Sequence, residues 1–143
     1  WTDYNGHMNV AYYVLIFDLF GAEILMNRFH MGEESAKTNK KSTMVVESHI
    51  TYNEEVKEGD EVDVNLLYFD HDKKRLQYKL EMIHKEKKYV ASTIETLSLY
   101  VDLSLRKVAE FEEEKVKIMD QYIKENSSKF IQENLKFSGK LKK

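Results

Sequence analysis

Asn9-Val-Ala-Tyr-Tyr-Val-Leu-Ile-Phe-Asp-Leu-Phe-Gly-Ala-Glu-Ile-Leu-Met-Asn-Arg-Phe29 is too long for a strand and contains no proline. Its only charges are Asp18, Glu23 and Arg28. Asn9 is a good N-cap, so a helix is predicted from Val10 to about Phe29. Its first part, Val10 to Phe17, is apolar around the whole circumference. Such a helix needs cover on most of its sides.

The segments that follow can supply that cover. After a polar linker from Gly32 to Lys41, the hydrophobic period changes from helical to two. Met44, Val46, Ser48, Ile50 and Tyr52 alternate with Val45, Glu47, His49 and Thr51. Val62, Val64, Leu66 and Tyr68 alternate with Asp63, Asn65, Leu67 and Phe69. Leu76, Tyr78, Leu80 and Met82 stand against Gln77, Lys79 and Glu81, and a fourth strand is predicted from about Tyr89 to Val101. The links at Asn53 to Asp60, Asp70 to Lys74 and Lys85 to Lys88 are short and charged, which predicts antiparallel hairpins. Phe111, Val116, Met119, Tyr122 and Ile123 then mark an amphipathic helix ending near Asn126 to Ser128, with Glu112, Glu113 and Glu114 in its first turn.

Helix, four antiparallel strands, helix is an α+β order. A sheet curling around one long central helix satisfies it, which is the hotdog fold. One hotdog domain is expected over residues 1–133, followed by a basic tail, 134–143, expected to be solvated and frayed.

At 143 residues, 42% hydrophobic and 33% charged, the chain reads as one soluble globular domain. A net charge of -3 with signs interspersed gives no footprint for nucleic acid. The absence of cysteine removes disulfides, thiolate metal sites and a cysteine nucleophile, and fits a reducing compartment. No membrane-spanning run and no signal pattern are read, so the expected location is cytoplasmic, with no membrane partner. No metal or cofactor is expected, since the five histidines show no i, i+4 pairing. No Gly-x-Ser-x-Gly elbow and no glycine-rich phosphate loop are present.

Polar groups concentrate in Asp3 to Asn9, just ahead of the helix. A helix N-terminus presents unpaired N–H groups and partial positive charge, which suit an oxygen that becomes anionic in a transition state. Gly6 lets the backbone approach a ligand closely. Asp3 could activate a water or attack a carbonyl directly. From spacing alone, a turn or capping carboxylate is the commoner reading.

Trp1-Thr-Asp-Tyr-Asn-Gly-His-Met-Asn-Val-Ala-Tyr-Tyr13 resembles the Asp-x-x-Gly-His-x-Asn-x-x-x-Tyr opening of the 4-hydroxybenzoyl-CoA thioesterase-like group, especially the branch containing betainyl-CoA thioesterases. Tyr52-Asn-Glu-Glu-Val-Lys-Glu-Gly-Asp60 is similar to that group's acidic Gly-Asp turn, and Ala91 to Asp102 to its closing strand. The likeness covers about residues 1–110. It implies hydrolysis of an acyl-CoA thioester, at a site shared across a homodimer or within a homotetramer. It implies Asp3 as base or nucleophile and the amides of Gly6, His7 and Met8 as the oxyanion hole. Asn5, His7 and Asn9 would orient the loop or touch substrate, and Tyr12 or Tyr13 would line the acyl pocket. Members begin with a strand ahead of this Asp. Only Trp1 and Thr2 precede it here, so that first strand is expected to be missing or truncated. The alternative is a non-catalytic hotdog module that binds acyl-CoA or acyl chains.

Four further groups are weighed. Asp18 lies on the apolar helix and is expected to serve as a cap, salt bridge or interface contact. Glu95 is expected to pair with Arg75, Arg106 or a lysine. Glu47 and Glu95 could both border a neighbouring subunit's pocket. Asp70-His71-Asp72 looks like a metal clasp but is expected to be a solvated turn.

Overall fold

The computed structural model describes all of residues 1–143. Asn9 caps the central helix, its side chain accepting the Ala11 N–H at 3.0 Å. The helix runs as α1 (Val10–Phe17), a π-helical segment (Asp18–Ala22) and α2 (Glu23–Arg28). The single α-helix expected over this stretch is therefore interrupted in the middle. Gly21 lies where the helix meets the sheet most closely. A Cβ there would stand 2.6 Å from Leu80 Cδ1 and 3.1 Å from Val64 Cγ1. A short helix, α3 (Glu33–Thr38), occupies the segment expected to be a polar linker.

The strands are β1 (Lys41–Tyr52), β2 (Val62–His71), β3 (Arg75–His84), β4 (Val90–Asp102) and β5 (Lys107–Val108), a two-residue addition to β4. All pairings are antiparallel and the order is β1-β4-β3-β2. Two of the expected hairpins form. The third does not, because β1 and β2 lie on opposite edges. Residues 53–61 must therefore cross the end of the sheet, and Val56, buried at 5% exposure, anchors that crossing in the core.

The central helix lies across the inner face of the curled sheet, as the hotdog arrangement requires. Phe17, Leu25, Met26 and Phe29 join Phe69, Leu76, Leu80, Met82 and Tyr100 in one core. Val10–Arg28 is 19 residues long with a mean hydropathy of 1.5, enough in length and composition to cross a membrane. In this structure it is the core helix, though covered on one side only. Val10, Val14, Phe20 and Ile24 remain exposed, as do Met44, Val45 and Val46 on the edge strand β1.

α4 (Glu113–Asn126) packs beside the end of the central helix, its Tyr122 ring edge-on to Phe29 at 5.3 Å and to Phe69 at 6.1 Å. The outer face is not bare, because the tail, expected to be frayed, lies on it. Glu95, 1% exposed, accepts the Lys136 N–H at 2.6 Å, the Phe137 N–H at 2.8 Å and Gln77 Nε2 at 2.9 Å. The expected cationic partner is thus replaced by two consecutive backbone amides and an amide side chain. At the hairpin, Asp72 accepts the N–H groups of Lys74, Arg75 and Lys142 at 2.9, 2.7 and 2.8 Å. His71 sets Nδ1 2.8 Å from the Asp72 carbonyl and Nε2 2.6 Å from Asp120 Oδ1. Asp70-His71-Asp72 is therefore a structural junction of hairpin, α4 and tail rather than a solvated turn.

Candidate functional site

Local backbone pairing builds the loop ahead of α1. Thr2 pairs with Met8, the Asp3 N–H donates to the His7 carbonyl at 3.0 Å, and the Asn9 N–H donates to the Trp1 carbonyl at 3.0 Å. The result is a narrow ribbon with its tip at Tyr4 to Gly6. Gly6 has φ +79°, a conformation that side chains rarely adopt, and its N–H folds back to the Asp3 carbonyl at 3.0 Å. The ribbon is held from below by the crossing segment. The Met8 N–H donates to the Val56 carbonyl at 2.7 Å, and His7 pairs with Lys57.

These bonds revise the expected donor set. The Gly6 N–H is already engaged by the Asp3 carbonyl within the turn, and the Met8 N–H by the Val56 carbonyl of the crossing segment. The His7 N–H has no acceptor, nor has the Val10 N–H at the start of α1. The next two are occupied, Ala11 by the Asn9 side chain and Tyr12 by the Asn9 carbonyl at 3.0 Å. Asn9 is thus a capping residue. Asp3 is partly buried, and its Oδ1 accepts the Asn5 N–H at 2.8 Å. Its other oxygen makes no contact of this kind. Asn5 is exposed. His7 Nδ1 lies 3.2 Å from the Met8 carbonyl. In the neutral ring Nδ1 is therefore the donor, leaving Nε2 as the acceptor.

The two tyrosines separate. Tyr12 is half-buried and stacks on Trp1, with ring centroids 5.1 Å apart. Tyr13 is a core residue. It meets Tyr52 edge-on at 5.2 Å and donates to the Glu54 carbonyl at 3.4 Å, and burial pushes its phenol up from the ordinary value. Neither lines the apolar cavity beside the central helix.

That cavity, of about 410 Å³, lies between the central helix and the inner sheet face. The helix contributes Ala11, Val14 and Asp18, and the sheet contributes Val45, Ser48, Tyr78 and Thr96. Ser48 and Thr96 are register partners, as are Tyr78 and Thr96, so three hydroxyl-bearing residues form one row across β1, β4 and β3. Burial, with the Asp18 carboxylate nearby, pushes the Tyr78 phenol up to about 12. The sequence reading did not find this row. The available signal was the hydroxyl residues on the buried face of each strand. Glu95 is on the opposite face, and Glu47 is exposed, 3.9 Å from Lys140 Nζ.

A sheet curled on one helix, a lined cavity between them and a polar ribbon at the helix start make this a hotdog fold rather than a generic α+β domain. The thioesterase-like superfamily matches residues 1–132, and the chain belongs to it. The chain is 31% identical over 114 residues to the betainyl-CoA thioesterase of Pseudomonas aeruginosa, across 80% of this chain and 71% of that one. A candidate thioesterase from Pseudomonas putida superposes with a TM-score of 0.71 at 30% identity, covering 100% of this chain and 88% of that one. A hypothetical Staphylococcus aureus protein in complex with CoA shares the fold, with a TM-score of 0.81 at 24% identity over 94% of this chain and 82% of that one.

Proposed function

We propose that the protein hydrolyses an acyl-CoA thioester to the free acid and CoA, with Asp3 as the working carboxylate. The observation that carries this reading is the ribbon itself. Asp3 is backbone-paired to His7, whose N–H lacks an acceptor, so a carboxylate and an unoccupied amide donor come from facing positions of one rigid loop. The Val10 N–H, also unpaired, adds the positive end of α1. Such donors stabilise the oxyanion that forms when the thioester carbonyl is attacked. Asp3 acts on a water as general base or attacks the carbonyl directly. Asn9 and the His7 ring hold the loop, and the half-buried Tyr12 packs against Trp1 at its base.

The assembly is a homodimer or a pair of dimers. An unpartnered twelve-residue edge strand carrying Met44, Val45 and Val46, beside the bare helix residues Val14 and Phe20, favours a second copy over solvent. The cytoplasm is the compartment in which acyl-CoA would be met.

Release of CoA from a panel of short, branched, aromatic and long acyl-CoAs tests the proposal. Asp3→Ala should lower kcat by roughly a hundredfold or more, the usual range for a positioned acid or base. A wild-type chain inert on every member would instead support a module that binds acyl groups without cleaving them. Light scattering at micromolar concentration should give at least a dimer.

A further inference from the structure

The Gly59-Asp60 turn ends the crossing segment that floors the ribbon. Gly59 has φ +86°, and the turn closes reciprocally. The Asp60 N–H donates to the Lys57 carbonyl at 3.0 Å, and Asp60 Oδ2 accepts the Lys57 N–H at 2.9 Å. That amide is one end of the peptide unit whose other end, the Val56 carbonyl, accepts the Met8 N–H at 2.7 Å. A peptide unit is planar and rigid, so turning the Lys57 N–H away from Asp60 would turn the Val56 carbonyl away from Met8. An anionic acceptor on the N–H also polarises the carbonyl at the far end and makes it the better acceptor.

Asp60 is held in turn from β3. His84, the last residue of that strand, is 2% exposed and pairs in register with Val62. Its Nδ1 accepts the Lys87 N–H at 3.0 Å, so the neutral ring carries its proton on Nε2. Nε2 makes no hydrogen bond elsewhere and faces Asp60 Oδ2 at 3.4 Å, the same oxygen that takes the Lys57 N–H. The Lys57 amide holds the Asp60 carboxyl below the usual carboxylate range, with burial opposing and His84 adding to the depression. Beside His84 the Tyr89 ring packs at 4.8 Å and donates its hydroxyl to the Glu55 carbonyl at 2.7 Å. The turn after β3 therefore reaches the floor of the ribbon at two points.

We infer that Asp60 and His84 are positioning residues for the reaction, bracing the Val56–Lys57 peptide unit and through it the ribbon that carries Asp3 and the His7 N–H. The inference rests on the thioesterase reading above, because the ribbon is taken as the place of catalysis. Neither side chain touches substrate. Their effect falls on kcat, because groups that act in the transition state lose rate when displaced even slightly.

Two substitutions of His84 separate the roles of its two nitrogens. Glutamine carries an N–H donor near the place of Nε2 and nothing at Nδ1, whereas asparagine puts its carbonyl oxygen near Nδ1 and does not reach Asp60. His84→Asn should lower kcat by roughly ten- to a hundredfold with KM little changed, and His84→Gln should stay within about threefold of wild type. A residue that only shaped the turn would give the reverse order, because Lys87 loses its acceptor in His84→Gln. Asp60→Ala should match His84→Asn, and the two combined should cost no more than the larger of them, as one shared linkage requires. Asp60 is exposed, so Asp60→Ala carries the same test should His84→Asn not fold. Additive losses, equal losses in the two His84 variants, or no loss in either overturn the inference. Hydrogen exchange reads the brace without turnover. The Met8 amide should exchange about tenfold faster in His84→Asn and Asp60→Ala but not in His84→Gln, with the Ala109 amide, bonded to Tyr100 at the other end of β4, unchanged. If the wild type cleaves no thioester, the thioesterase reading fails and this exchange pattern still upholds the brace. An unmoved Met8 amide, or equal acceleration at Ala109, overturns it.

Discussion

Replacing Glu95 by alanine tests whether one buried carboxylate holds the C-terminal segment to the sheet. Glu95 receives the N–H groups of Lys136 and Phe137 and the side chain of Gln77, all within 2.9 Å. Hydrogen bonds to a charged group contribute about 1.5–3 kcal/mol each. Their simple sum overstates the loss, because the tail can lift and solvate its own amides. What is lost then is the burial of Phe137, about 1.5–3 kcal/mol for a phenylalanine, plus about 1 kcal/mol for a Gln77 left unpaired. The tail's regained freedom offsets part of this, so Glu95→Ala should cost about 2–4 kcal/mol. Urea denaturation of four proteins measures it: full-length chain, Glu95→Ala, a chain ending at Glu133, and the two changes combined. In the shortened chain the substitution should cost less than about 1 kcal/mol, because the partners at Lys136 and Phe137 are gone. An equal cost in both backgrounds would refute the argument and make Glu95 a residue of the sheet alone.

Gly21→Ala should destabilise by about 1–3 kcal/mol, since the new methyl meets Leu80 Cδ1 at 2.6 Å. Thermal unfolding should show that Leu80→Ala makes part of this cost disappear in the double variant. Asn9→Ala removes the acceptor of the Ala11 N–H and should cost about 1 kcal/mol in the same assay. Asp72 gives a pH dependence. Burial raises its pKa, but the Lys142, Lys74 and Arg75 amides and the Arg75 guanidinium outweigh that and hold it below the ordinary value. A depressed folded pKa means stability that is present above the unfolded value, about 3.9, and lost as pH falls through the folded one. Hydrogen exchange at Lys74, Arg75 and Lys142 should therefore accelerate below about pH 4, and Asp72→Asn should flatten that acid limb.

Most of the fold was legible because it rests on periodicity. The alternation of Leu76, Tyr78, Leu80 and Met82 and the apolar run Val10 to Phe17 each need one kind of neighbour. What escaped notice depends on partners distant in the chain. Nothing near Glu95 announces that residues 136 and 137 will bring it two amides. Nothing in Asp70-His71-Asp72 announces Asp120 or Lys142. Of the site, the loop residues were visible as a motif, yet which amides remain free was not. Gly6 and Met8 are engaged through the turn at Asp3 and through Val56, and spacing carries no information about either. The hydroxyl row was hidden for a related reason. Ser48, Tyr78 and Thr96 look unremarkable on separate strands and become a surface only when the register places them side by side.

The strand order explains why the ribbon stands where it does. With β1 on one edge and β2 on the other, the connection between them has to span the ends of β4 and β3. That passage carries Val56 and Lys57 directly beneath Met8 and His7, and the Asn53 and Glu54 N–H groups close onto the Ala91 carbonyl at 2.9 and 3.2 Å. A hairpin between β1 and β2 would have left the ribbon without a floor. The loop would then hang from α1 alone, free to turn the His7 N–H toward solvent. The acceptor-free amide at His7 is thus a product of topology. Met8 is fixed to Val56 on one side and Asp3 to the His7 carbonyl on the other, so the His7 N–H between them cannot swing to find an acceptor of its own. A donor prevented from pairing within the chain remains available to an oxygen arriving from outside it, and the non-neighbour placing of β1 and β2 maintains that condition.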